Sequence, residues 1–338
     1  MEDEEIRNPQ EEPWEERTLN LLHHSKIDQD FARTKALKSG KKKHKVRRLM
    51  KRPMAIPEVI VNLQDQTLRE SALRSLSTFL LEKREEDMAN YHRTGFFLYH
   101  SCSTMAILLQ EVLAFFHFLA DGNLTIRASK RVVNVLTLFQ CIAANKETRL
   151  KFVKSCVPNF VIPLILSENQ LEYYQNVQAV ALSVIGILCQ GREPTVIQWA
   201  LESHMVEVCQ ISIKNGSELS KVIGMHILEA ILQVDSGLSY VCSPTCHDLL
   251  KKLMKTFFHL VTCLAVDQDF SPRLLFHIIR CYILLCNHVR GCNVVMENLP
   301  HSMTDDSFSE LTLEFPLIGR LRQQLLLSVC EVDKCCRD

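Results

Sequence analysis

LFQCIAANKETRLKFVKSCVPNFVIPLIL, residues 138–166, is the stretch on which the fold turns. It reads as the end of one apolar helix, a short polar break near Asn145, and a new helix that restarts at Glu147 and runs to a proline. Such a join is either one hairpin of a bundle or one unit of a repeat. The test is to look for the same join elsewhere in the chain.

It recurs. ALSVIGILCQGREPTVIQWAL breaks near Gly191 and restarts after Pro194, a residue suited to a helix's first turn. HILEAILQVDSGLSYV breaks near Asp235 and Gly237, and IRCYILLCNHVRGCNVVM near Asn287. The breaks fall roughly 45 to 55 residues apart, the period of armadillo and HEAT helical repeats with room for insertions. TLRESALRSLSTFLLEKRE, STMAILLQEVLAFFHFLA, KRVVNVLTLFQCIAAN, NVQAVALSVIGILCQG, TVIQWALESHMVEVCQISI, SKVIGMHILEAILQV, LLKKLMKTFFHLVTCLAV and SPRLLFHIIRCYILLCNH each have apolar spacing of three and four, and several are apolar nearly all round. A helix of that kind is flanked on two sides by other helices. One unit cannot bury its own apolar faces, whereas stacked units bury a continuous core. The expectation is an all-α, armadillo-type solenoid of about six repeats. Only 10 Gly and 11 Pro in 338 residues argue the same way, since a many-stranded sheet needs more turn residues.

The solenoid is expected over residues 53–329, between a charged tail at 1–52 and a short tail at 330–338. Residues 1–32 hold ten acids against three bases, and residues 33–52 hold eleven bases and no acid. Low hydrophobicity and segregated charge do not offset ordering entropy, so the first tail is expected to be mostly disordered. Its cluster of Lys41, Lys42, Lys43, Lys45, Arg47, Arg48, Lys51 and Arg52 is a nuclear-import or phosphate-contact candidate. The bland alternative is a solvated charge run. The whole chain has zero formal net charge, so a nucleic-acid argument from bulk charge applies to that tail alone.

No stretch of about 18 uncharged apolar residues is present, so no membrane span is expected. The start MEDEEIRNPQEEPWEER has no apolar segment of signal-peptide type. The 14 cysteines are therefore expected as reduced thiols, with Cys141, Cys189, Cys209, Cys263 and Cys281 packed in helices as small hydrophobes. Cys242, Cys246 and His247 form one cluster of metal-ligating types, and Cys286, His288 and Cys292 another. Each offers three ligands where zinc takes four, so no metal and no other cofactor is expected. The chain has no G-x-S-x-G, P-loop, G-x-G-x-x-G or H-E-x-x-H, and catalysis is not expected. Glu111 and Arg131 are read as interior polar anchors or exposed helix positions, and Glu218 after Ser217 as a capping or functional residue.

Six colinear segments carry a resemblance. LYHSCSTMAILLQEV (98–112), RVVNVLTLFQCIAANKETR (131–149), ALSVIGIL (181–188), NGSELSKVIGMHILEAIL (215–232), SGLSYVC (236–242) and PRLLFHIIRCYILL (272–285) resemble the Rcd-one family. These are cell-differentiation proteins, also called the NOT-nine or Caf-forty subunit of the CCR–NOT deadenylase complex. The resemblance covers roughly residues 55–329, with one short insertion near 243–250.

It implies an armadillo-repeat adaptor without catalysis of its own. Such an adaptor docks on the central NOT scaffold subunit and offers a concave groove and tryptophan-accepting pockets to short peptides of RNA-regulatory proteins. Its setting is mRNA deadenylation and translational repression, in cytoplasm, P-bodies and nucleus. The scaffold-docking positions carried over are His100, Cys102, Ala106 and Leu113. Ala106 and Leu113 are seven apart on one helical face, with Cys102 a turn before Ala106. The family usually has an aromatic residue where Cys102 stands and Trp where Tyr99 stands. The groove positions are Leu219, Val222, Ile223, His247, Arg273 and Arg290, while Gln190 replaces a groove lysine. This is the pattern of a divergent member. The rival reading is an armadillo adaptor in nuclear transport or transcription, outside the complex. Homodimerisation and weak nucleic-acid binding stay open.

Overall fold

A computed structural model describes residues 55–169, 171–266 and 271–335. The basic cluster at 41–52 lies outside the described residues, which contain seventeen α-helices and no strand. They are α1 (Ile56–Val61), α2 (Arg69–Glu86), α3 (Met88–His100), α4 (Thr104–Ala120), α5 (Ile126–Ala144), α6 (Lys146–Lys154), α7 (Ile162–Leu166), α8 (Glu172–Gln190) and α9 (Pro194–Glu202). Then follow α10 (Met205–Asn215), α11 (Glu218–Leu232), α12 (Asp235–Val241), α13 (His247–Val266), α14 (Pro272–Cys286), α15 (Val289–Asn298), α16 (Ser309–Glu314) and α17 (Pro316–Cys335).

Six of these form a ladder. Helices α2, α5, α8, α11, α14 and α17 pack each against the next in chain order. Two further helices stand between each pair of successive rungs, as in the triplets of an armadillo repeat. The chain is an all-α solenoid, as its periodicity requires.

The ladder helices explain their own sequences. From Val135 to Ala143 in α5, from Ala179 to Cys189 in α8 and from Val222 to Leu232 in α11, every residue is buried. Neighbouring rungs cover these stretches on both flanks, and the outer helices cover the third side. Tyr174, Phe139, Phe152, Phe257 and Tyr282 are the largest fully buried side chains of this continuous core. Burying a Leu or Phe stabilises by roughly 1.5–3 kcal/mol.

The breaks fall where the sequence places them. Asn145 is the N-cap of α6, its Oδ1 accepting from the amides of Glu147 (2.8 Å) and Thr148 (3.2 Å). Pro194 occupies the first turn of α9, Asp235 opens α12, and α14 ends before Asn287.

Three expectations change. The helix after Asn145 stops at Lys154, followed by a 3-10 turn at Val157–Phe160 and then α7. TVIQWALESHMVEVCQISI, which reads as one helix, divides at His204. In both places a non-glycine residue takes the left-handed conformation, Cys156 at φ 59° and His204 at φ 54°, so glycine does not mark the turn. Helix α17 also continues to Cys335, past the expected start of the C-terminal tail.

Of the core thiols, Cys141, Cys189, Cys209 and Cys281 are fully buried, but Cys263 faces solvent. Desolvation pushes the Cys189 thiol up to about 12, which keeps it protonated. No single described helix is long and apolar enough to cross a membrane.

Candidate functional site

Two surfaces hold the candidate residues. The first is the corner between α3 and α4. Asp87 caps α3 by accepting from the Asn90 amide, and the helix closes where the Ser101 hydroxyl donates to the Phe97 carbonyl at 2.6 Å. Ser103, at φ 62°, turns the chain into α4. Helix α4 is amphipathic for a simple reason. Ile107, Leu108, Val112 and Phe115 face the core, which leaves Ala106, Gln110, Leu113, Ala114 and His117 outside.

His100, Cys102, Ala106 and Leu113 are thus all exposed on this corner. The His100 ring packs on Phe96 with centroids 4.4 Å apart, and its Nε2 lies 3.4 Å from Lys151 Nζ. Phe97, Leu113 and Phe118 add exposed apolar area.

An ion network beneath α4 anchors the corner. Glu111 is buried, and both its oxygens take bonds from Arg131, whose Nη2 reaches Oε1 at 2.9 Å. Arg69 Nη1 lies 3.4 Å from the same Oε1, and Arg131 Nη1 also reaches Glu70 Oε2 at 3.3 Å. The network ties α2, α4 and α5 together. The interior reading is realised for Glu111, while Arg131 is half-buried, and its guanidinium offsets the cost of burying the Glu111 carboxylate.

The second surface is the row of first turns along the ladder. Ser217 caps α11 through its hydroxyl and the Ser220 amide, at 3.3 Å, so Glu218 sits at the positive end of a helix. Leu219 is half-buried here, whereas Val222 and Ile223, expected to line an open groove, are nearly closed off. A Cβ placed on Gly186 of α8 would touch Ile223 Cγ2 at 3.6 Å, so that side chain packs between rungs. Arg273 is half-buried in the first turn of α14.

His247 and Arg290 do not join this row. Arg290 lies just past the far end of α14, about 20 Å away at 1.5 Å per residue. There its Nη2 donates to His247 Nδ1 at 2.8 Å. The six groove candidates therefore separate into a first-turn group and a far-end pair. The Cys–His clusters meet at that same far end. Cys242, Cys246 and Cys292 are buried there, and His288 Nδ1 caps α15 by accepting from the Arg290 amide.

Gln190 borders a far-end pocket of about 440 Å³ shared with Arg84, His92, Lys146 and Arg149. Arg149 has a structural task in it. Its Nε and Nη2 donate to the carbonyls of Ala143 and Ala144, and Nη1 pairs with Glu193. That satisfies the open carbonyl end of α5.

Two features had no clear signal in the sequence. Between α14 and the start of α17, Phe276, Phe315, Leu317 and Ile318 line a pocket of about 350 Å³ edged by Glu314 and Arg320. Phe276 reads in sequence as one more apolar helix position, and only the Phe315–Pro316 pair hints at a corner. Between α11 and α14, buried Glu229 takes bonds from His277 Nδ1 and Arg280 Nε, both at 2.7 Å. Burial alone would raise the Glu229 carboxyl, but the bond from His277 and the nearby positive charges hold it below its usual range. His226 packs beside this group, 5.8 Å from the His277 ring, with both ring nitrogens buried and unbonded.

Comparisons with known proteins agree with the architecture. The family described as cell differentiation family, Rcd1-like, matches residues 59–329. Cell differentiation protein rcd1 of Schizosaccharomyces pombe is 31% identical over 280 residues, 83% of this chain and 95% of that protein. Protein CAF40 of Saccharomyces cerevisiae is 30% identical over 234 residues, 69% of this chain and 62% of that protein. Among solved structures, a designed armadillo repeat protein superposes with TM-score 0.56 at 14% identity, over 81% of this chain and 99% of that one. A computationally designed armadillo protein made for modular peptide recognition gives 0.53, also at 14%, over 81% of this chain and 99% of that one.

Proposed function

The chain belongs to the Rcd1-like cell differentiation family, and from that membership we propose that it is a non-catalytic adaptor subunit of the CCR–NOT deadenylase complex. The observation that supports the reading is the α3–α4 corner, where His100, Cys102, Ala106 and Leu113 are all open to a partner. The corner locks to the central NOT scaffold. The first turns of the ladder recruit short apolar or aromatic segments of RNA-regulatory proteins, and recognition is the whole mechanism.

Leu113 and Phe97 supply apolar area that docking would bury, and the rigid Glu111 anchor holds α4 in place without further ordering cost. Cys102 gives less area than an aromatic side chain, so the contact leans on Leu113 and the His100–Phe96 pair. The adaptor acts in cytoplasm and nucleus, with the basic cluster at 41–52 serving import.

The test is a pull-down of the full chain with the docking region of the scaffold subunit, beside Ala106→Tyr/Leu113→Tyr. Both positions are exposed, so the variant keeps its fold. Binding by the wild type and loss in the variant supports the proposal. If the wild type does not bind, the chain acts outside the complex, as an armadillo adaptor in nuclear transport or transcription.

A further inference from the structure

The joint between α14 and α15 places two thiols side by side. Cys286 is the last residue of α14 and Cys292 the fourth of α15, with Asn287 and His288 between the helices. The backbones run close here. A Cβ on Gly291 would stand 2.3 Å from Leu285 O, and the Cys292 amide donates to His288 O at 2.8 Å. The next pair six positions apart is Cys286 and Cys292, and their side chains share a hydrogen bond. At the matching places of two earlier joints stand Ala143 with Arg149 and Leu232 with Leu238. Sequence groups Cys286, His288 and Cys292 as metal-ligating types. In the fold His288 Nδ1 is taken up by the cap of α15, and no metal-holding group is found among the described residues.

The two sulfurs differ in access. Cys292 is fully buried, whereas Cys286 is half-buried. We propose that Cys286 and Cys292 form a reversible disulfide by exchange with a small disulfide of the glutathione type, a modification that locks α15 onto α14. The chemistry balances. Cys286, as thiolate, attacks one sulfur of glutathione disulfide, whose S–S bond breaks, and one glutathione leaves. Cys292 then loses its proton and attacks the Cys286 sulfur, and the second glutathione leaves. Two protein thiols are oxidised, one glutathione disulfide is reduced to two thiols, and the two protons end on them. Excess reduced glutathione runs the exchange backward.

The ring so closed is CNHVRGC, residues 286–292, with Arg290 inside it. Arg290 Nη2 donates to His247 Nδ1 at 2.8 Å, so the bridge also steadies the contact with the first residue of α13. Burial, and then the neighbouring Cys292, push the Cys286 thiol up to about 12, so little thiolate exists near neutral pH. The pair therefore closes slowly, under sustained rather than brief exposure to oxidant, and its rate rises about tenfold per pH unit.

The experiment treats the full chain with glutathione disulfide at mildly alkaline pH, blocks the remaining thiols and digests with trypsin. Cleavage after Arg290 separates the two cysteines, so the bridge appears as peptide 281–290 joined to peptide 291–320, two hydrogens lighter than their sum. The joined pair is expected in the wild type and in Cys281→Ala, and is absent in Cys286→Ser and after reductant. Exposed Cys102 and Cys263 take up glutathione and so report that the oxidant acts. Amide exchange in α15 is expected to slow about tenfold in the bridged chain. Thermal melts of the reduced variants check that each one folds. Glutathione on the exposed thiols with no joined pair in the wild type overturns the inference. So does a joined pair that survives Cys286→Ser, that occurs only in covalent dimers on a non-reducing gel, or that leaves exchange in α15 unchanged.

Discussion

At the scale of a residue, His226 is the least comfortable group in the core. An imidazole in the unfolded chain titrates near 6.5. In the fold, burial, aided by the charge of neighbouring His277 and by Arg192 and Arg280, pushes His226 down to about 4, against an opposing pull from Glu229. The unfolded chain therefore takes its proton first as pH falls. Stability drops between about pH 6.5 and about pH 4, by about 3 kcal/mol if this residue acts alone. Glu229 adds to the loss at lower pH, because its depressed carboxyl contributes stability that disappears as pH falls through its folded value. In a series of urea titrations across this range, His226→Phe should flatten the upper part of the curve. An unchanged slope in that variant would remove His226 as the cause. The sequence shows a histidine on an apolar face and no more. Its lack of partners is a fact of the α11–α14 interface.

At the scale of an element, the joint between a ladder helix and the next short helix is built alike in several repeats. The third residue of the short helix sits against the carbonyl six positions earlier. In α6, Thr148 Oγ1 donates to Ile142 O at 2.6 Å. In α12 and α15 the corresponding residues are Gly237 and Gly291, where a Cβ would stand 2.1 Å from Ile231 O and 2.3 Å from Leu285 O. The need here is closeness of backbones, since neither glycine has a positive φ. Gly237→Ala and Gly291→Ala should each destabilise by about 1–3 kcal/mol, measured as a lower urea midpoint at constant slope. A neutral result would mean that the joint has slack.

Much of this level is legible beforehand. Asn145 and Pro194 mark real helix starts because an amide oxygen caps the one and a fixed ring suits the first turn of the other, and Asp235 marks a third as an acid at the positive end of α12. The turns at Ser103, Cys156 and His204 escape notice because each places an ordinary side chain in a left-handed conformation that sequence assigns to glycine. His247 and Arg290 escape for another reason. Carried-over positions name residues but do not say at which end of a fifteen-residue helix each one stands.

At the scale of the whole molecule, each rung rests only on its neighbours, so stability is a sum of rung and interface contributions. Helices α5, α8 and α11 have a partner rung on both sides, while α17 has one. Amide hydrogen exchange should therefore be slowest in α5, α8 and α11 and faster toward α17. Uniform protection would instead indicate a single cooperative unit. The solenoid itself is readable from sequence because helices flanked on both sides must be apolar all round. The corner proposed for docking is less so, since Ala106 and Leu113 mean little until α4 has an inside and an outside.

The fully buried halves of the ladder helices carry a consequence for how such a chain can change. Half or more of α5, α8 and α11 is committed to neighbouring helices and tolerates little. The first turns at Leu219, Arg273 and Arg320 carry no such duty. A lineage built on this scaffold can exchange its clientele by rewriting a few residues at one rim, while the ladder behind them holds its shape.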